Sequence, residues 1–89
     1  MTTYIYATKN KKSGDFGKVS SEIYKPEQIT DLYVNSVKEA PDDKRVFLEE
    51  LEVYCLGSLD TKTGVISGSP QFLIDLGSVV HGETSRKTE

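Results

Sequence analysis

The chain has 89 residues, with 14 Asp and Glu against 11 Lys and Arg for a net charge of −3, one Cys, one His and no Trp. That length predicts one small domain with a core thin enough to favour a partner subunit. A single Cys with a single His excludes a disulfide framework and a thiolate or imidazole zinc site. With no basic leader and no apolar run near the ~20 residues of a membrane span, a soluble, unsecreted protein of a reducing compartment is expected.

Thr3 to Thr8 reads TYIYAT, a β-branched and aromatic run that predicts a strand, and Lys9 to Gly14 has the polar, Gly-ended composition of a turn. Phe16 to Tyr24 supplies the returning strand, with Phe16, Val19 and Ile23 apolar and with Gly17 and Ser20-Ser21 making it irregular. Pro26 then suits the first position of a helix, and Glu27 suits its positive end. Ile29, Leu32, Tyr33, Ser36, Val37 and Ala40 fall at helical spacing, opposite Gln28, Asp31, Asn35, Lys38 and Glu39. Pro41 stops this helix, because the residue before a proline avoids helical geometry. The charged stretch Asp42 to Glu50, around Val46, Phe47 and Leu48, reads as a short helical turn or as a loop that tucks Phe47 under the sheet.

Leu51 to Leu59 alternates, with Leu51, Val53, Cys55, Gly57 and Leu59 on one face and Glu52, Tyr54, Leu56 and Ser58 on the other, as in a central strand. Asp60 to Gly64 is a turn, Val65-Ile66 begins a return strand, and Gly68-Ser69-Pro70 breaks it. Gln71 to Leu76 gives a last strand with Phe72 and Ile74 on one side and Leu73 on the other. These elements predict an α+β fold in the order β-β-α-β-β-β: a four- or five-stranded antiparallel sheet with one amphipathic helix packed on one face. The domain is expected to span 1–80, followed by a flexible C-terminal tail over 81–89, with no internal repeat.

Catalysis is hard to build from these parts. His81 falls at the edge of the tail, without the rigid placement a general base needs. Cys55 sits inside a strand, as a small buried hydrophobe does. Asp42, Asp43, Glu49, Glu50 and Glu52 match no calcium loop or paired-carboxylate spacing. No catalytic residue, metal or cofactor is expected. Charge, however, is sorted along the chain: residues 1–25 sum to +3 and residues 26–60 to −6. In the basic quarter, Tyr and Phe rings interleave with lysines, the pairing that single-stranded nucleic acid requires for base stacking and phosphate contact. The predicted contact is Tyr4, Tyr6, Lys9, Lys11, Lys12, Phe16 and Lys18. The same residues also suit ordinary strands with a Lys-blunted edge.

The segment Leu51-Glu52-Val53-Tyr54-Cys55-Leu56-Gly57-Ser58-Leu59-Asp60-Thr61-Lys62-Thr63-Gly64-Val65-Ile66 resembles a hairpin of known pattern, Leu-Tyr-x-hydrophobic-Gly-x-hydrophobic-Asp-x-x-Thr-Gly. That hairpin belongs to the small non-structural proteins of gokushoviruses, tailless single-stranded DNA phages of the Microviridae. The strand at Tyr4 to Ala7, the turn at Gly14-Asp15-Phe16 and the helix from Pro26 to Ala40 agree with the same family, while Val53 stands where it usually has Leu. The resemblance implies a phage protein of the host bacterial cytoplasm, binding single-stranded DNA without sequence specificity in genome replication or packaging. It offers no catalytic residues; Tyr54, Gly57, Asp60, Thr63 and Gly64 have structural work in the hairpin. Homo-oligomerisation, as a dimer for example, would multiply a weak site. The rival expectation is a small homo-oligomeric interaction module that binds a phage or host protein through the apolar side of its sheet or the stretch Glu39 to Glu52.

Overall fold

Two hairpins built on the same turn chemistry supply the sheet. In the computed structural model, which describes residues 1–82, strands β1 (Thr2–Asn10) and β2 (Phe16–Glu22) form the first and β3 (Leu51–Asp60) and β4 (Ile66–Asp75) the second. At the first turn, the Asn10 side chain accepts from the Lys12 and Ser13 N–H groups at 2.8 and 3.1 Å, and Gly14 takes φ 76°. At the second, Asp60 accepts from the Lys62 N–H at 2.9 Å, and Gly64 takes φ 79°. Ser13 and Thr63 each accept from the N–H two residues on, at 3.2 Å. An Asx-x-Lys-Ser/Thr-Gly turn therefore occurs twice, preceded by Tyr4-Ile5-Tyr6-Ala7-Thr8 in one hairpin and Tyr54-Cys55-Leu56-Gly57-Ser58 in the other. The likeness is one of turn chemistry, since the strands ahead of the two turns share only their Tyr.

Between the hairpins lie helices α1 (Pro26–Glu39) and α2 (Asp42–Leu48), and α3 (Leu76–Val80) follows β4. Pro26 opens α1, where its missing N–H costs nothing, and the Lys25 N–H donates to the Gln28 side chain at 2.9 Å. At the other end, Arg45 of α2 donates to the Lys38 carbonyl at 2.7 Å and to the Val37 carbonyl at 3.2 Å, which also accepts from the Ala40 N–H. The four strands form one antiparallel sheet in the order β2-β1-β3-β4, so α1 and α2 carry the chain from edge strand β2 across β1 to β3.

The α+β class and the four-stranded antiparallel sheet agree with the sequence, but the element order β-β-α-β-β-β does not. Gly68-Ser69-Pro70 does not split the last strand. β4 runs through it, because β4 is an edge strand, where a residue without an N–H is tolerated. Leu76 starts α3 instead of ending a strand, and the Asp75 side chain accepts from the Gly77 N–H at 2.8 Å. α1 is not alone on its face: Ile29 and Val37 of α1 and Leu76 and Val79 of α3 share the core with Tyr6, Val53, Cys55 and Ile74. Phe47 is not tucked under the sheet; it lies on α2 and is 75% exposed. His81, expected in the tail, caps α3 with its Nε2 3.5 Å from Glu49 Oε1. The remainder of that expected tail, 83–89, lies outside the described residues. Among the described residues no helix is long and apolar enough to cross a membrane.

Tyr6 is the largest fully buried side chain, and its hydroxyl donates to the Tyr24 carbonyl at 2.6 Å, tying β1 to the segment that leads into α1. Burial pushes the Tyr6 hydroxyl well above its ordinary value of 10.0, helped by the nearby Cys55, Tyr4 and Glu27. The unfolded chain ionises this phenol first, so stability is complete below pH 10.0 and falls as pH rises beyond it. Tyr6→Phe should cost about 1 kcal/mol near neutral pH through the lost hydrogen bond. Its deficit should shrink above pH 10, because the variant has no phenol to ionise at this position. Urea melts at about pH 8 and about pH 11 check both signs.

Candidate nucleic-acid interface

Strand alternation gives the sheet one face under the helices and one face that is open. On β1, Tyr4, Tyr6 and Thr8 point to the helices while Ile5, Ala7 and Lys9 point away. β3 begins in step, with Cys55 opposite Tyr6 and Tyr54 opposite Ala7. It then changes step at Leu56, which has no partner on β1, so that Gly57 faces Ile5. The expected alternation of β3 is corrected here: Gly57 and Leu59 lie on the face of Tyr54, opposite to Val53 and Cys55. A second shift at Leu73 puts Phe72 opposite Tyr54 and Ile74 opposite Val53, so Phe72 and Ile74 do not share a side.

The open face carries a row of three rings. Phe16 of β2 meets Tyr54 of β3 edge-on, with centroids 5.2 Å apart and planes at 86°, and Tyr54 meets Phe72 of β4 at 5.7 Å and 76°. β2 and β3 flank β1 and so stand about 9.5 Å apart. Phe16 is opposite Lys9 and Tyr54 opposite Ala7 on β1, so the two rings meet diagonally across β1 beside the small Ala7, which is 1% exposed. The Lys9 ammonium lies 5.4 Å from the Phe16 centroid and 5.6 Å from that of Tyr54, within cation–π range of both. Phe16 and Phe72 remain 44% and 50% exposed, so flat apolar area faces solvent beside a cation.

Of the seven residues predicted as the contact, only Lys9 and Phe16 belong to this row. Tyr4 and Tyr6 face the helices; Tyr6, at 1% exposure, cannot stack on a base, and Tyr4 packs against the core. Lys11 and Lys12 occupy the hairpin tip and are engaged, with Asp75 at 2.8 Å and Glu50 at 2.9 Å. The Lys12 hydrogen bond draws the Glu50 carboxyl below its usual value and lifts the ammonium above its own. Lys18 projects to the helix side of β2, beside Ser20, Glu22 and Tyr33. Tyr54 and Phe72 were not foreseen. The alternation around Tyr54 already turned it away from the buried Val53 and Cys55, but Phe72 needed the Leu73 shift.

Charge around the row is nearly balanced. Glu52 stands directly opposite Lys9, and Asp75, across from Glu52 on β4, is already paired with Lys11 at 2.8 Å. Flat apolar surface is therefore the dominant chemistry of this site, with charge a minor part. No protein-family model matches the chain, and no curated protein or solved structure is significantly similar to it.

Proposed function

We propose that the chain is a non-enzymatic protein that binds single-stranded DNA without sequence specificity, through the open face of its sheet. Phe16, Tyr54 and Phe72 are the stacking platforms, and Lys9 holds a phosphate. The observation that carries this reading is the exposed ring row with an ammonium set between two of its members, on a face that none of the helices among the described residues covers. Stacking on such rings contributes about 1–3 kcal/mol per base and ignores sequence, because every base has a flat face. The resemblance of the Leu51 to Ile66 hairpin to gokushovirus non-structural proteins supplies the setting: a phage protein of the bacterial cytoplasm, acting in genome replication or packaging.

Titration with oligo-dT at two salt concentrations tests the reading. Because Lys11 and Lys12 are paired and Glu52 offsets Lys9, few phosphates are neutralised. A slope of log affinity on log salt of about −0.7, one phosphate contact on a single strand, is expected, against steeper values for a lysine-driven site. Glu52→Gln should tighten binding several-fold by removing the carboxylate opposite Lys9, which repels an incoming phosphate. No binding at low salt sinks the proposal.

One observation favours the rival, an interaction module for a phage or host protein. Val46 and Phe47 stand 60% and 75% exposed on α2, inside the acidic stretch Glu39 to Glu52. That surface holds no ring row, and a chain that ignores oligo-dT at every salt concentration fits this second reading.

A further inference from the structure

The two edges of the sheet differ in kind. β4 carries Pro70 and two register shifts against β3, devices that blunt an edge against further pairing. β2 has no proline, and its one irregularity falls at its start, leaving Val19 to Glu22 regular opposite Ala7 to Tyr4. α1 leaves the outer side of β2 open: a cleft of about 210 Å³ separates them, lined by Ser20, Glu22, Tyr24, Leu32 and Tyr33 among others. An edge strand whose regular stretch keeps its outer backbone donors and acceptors open is a template for one more strand, above all where its charges find opposite charges on that strand.

We propose that β2 pairs with β2 of a second copy, antiparallel about a two-fold axis at Ser20, giving a continuous eight-stranded sheet. Charge complementarity selects this occupant and this register. About an axis at Ser20, Lys18 lies directly opposite Glu22 of the second copy, and Glu22 opposite its Lys18, while Val19 meets Ser21. Among the described residues neither Lys18 nor Glu22 has an ion-pair partner within the chain. Moving the axis by one residue to Val19 or Ser21 sets both charges against uncharged residues. A symmetric strand pair is self-complementary, as a closed dimer requires. It also adds a second ring row to the same open face. The dimer stands on the edge geometry alone and does not depend on nucleic-acid binding.

The test is a charge swap read by sedimentation equilibrium. The unaltered chain should show twice its 9.9 kDa mass. Lys18→Glu and Glu22→Lys, each alone, place like charges opposite one another twice and should raise the dissociation constant about tenfold. An equimolar mixture of the two variants should dimerise again, as should the chain carrying both changes. Ser20→Cys should cross-link to a covalent dimer on mild oxidation, since axial residues of an antiparallel pair lie within disulfide reach; Cys55, at 6% exposure, does not compete. A monomer at every concentration overturns the proposal. So does a dimer that neither single charge change weakens, or that Ser20→Cys fails to cross-link.

Discussion

Replacing Phe16, Tyr54 and Phe72 together by leucine should weaken oligo-dT binding at least a hundredfold. Each ring offers a base about 1–3 kcal/mol of stacking, and a hundredfold loss corresponds to about 2.7 kcal/mol, which three rings reach at about 0.9 kcal/mol each. Leucine rather than alanine is the informative choice. It keeps an apolar cover over Ala7 and over the backbone of β1 and β3, so the fold survives, while the flat π face that stacks on a base is gone. Thermal melting of the triple variant should show a cooperative transition, and the titration should show the loss. If affinity is unchanged, the ring row is not the site. If affinity falls but the salt slope does not move, the rings act by stacking and Lys9 still holds its phosphate. Lys9→Gln should then reduce the slope by about 0.7, the value of one phosphate contact on a single strand.

The parts of the fold that were legible in the sequence are those fixed by local chemistry. Both turns follow from an Asx side chain that hydrogen-bonds its own turn and a Gly free to take positive φ. α1 follows from Pro26, Pro41 and an apolar stripe at helical spacing. What was not legible is set by register between strands. Tyr4 and Tyr54 occupy equivalent places ahead of their turns, yet Tyr4 packs against the core and Tyr54 stands on the open face. The single unpaired residue Leu56 makes that difference, because one added residue exchanges the faces of everything on one side of it. Tyr4 and Tyr6 read as contact residues for the same reason: period-2 patterning tells which residues share a face but not which face the helices cover. Phe72 shares a side with Ile74 in the sequence pattern, and only the shift at Leu73 separates them. Pro70 resembled a strand end because its tolerance depends on β4 lying at the edge, a fact of topology that no short window of residues contains.

Gly57→Ala should be the most damaging single substitution in the sheet. Gly57 follows the unpaired Leu56 and has φ 155°, a backbone conformation that side-chain-bearing residues rarely adopt. A Cβ built there would fall inside van der Waals contact of the Ser67 carbonyl oxygen, and 3.1 Å from the Gly68 Cα, so β4 would have to move away. Backbone strain of this kind costs about 1–3 kcal/mol, and displacing a paired strand adds to it. A total of about 3 kcal/mol is a large part of the stability of a domain this size and lowers its melting temperature by about 15 °C. Gly68→Ala is the matched control. Gly68 sits opposite Gly57 on β4, its added Cβ would meet nothing within 4 Å, and its φ is not positive, so alanine should be neutral or slightly stabilising. The consequence reaches the site. The step at Leu56 and Gly57 lets Cys55 face the core and Leu59 face outward on one strand, with Tyr54 held against Phe72. A chain relieved of the strain by straightening β3 would turn one half of that strand over. Gly57→Ala should therefore lose oligo-dT affinity together with its melting temperature, whereas Gly68→Ala should keep both; thermal melts and titrations on the pair check the link.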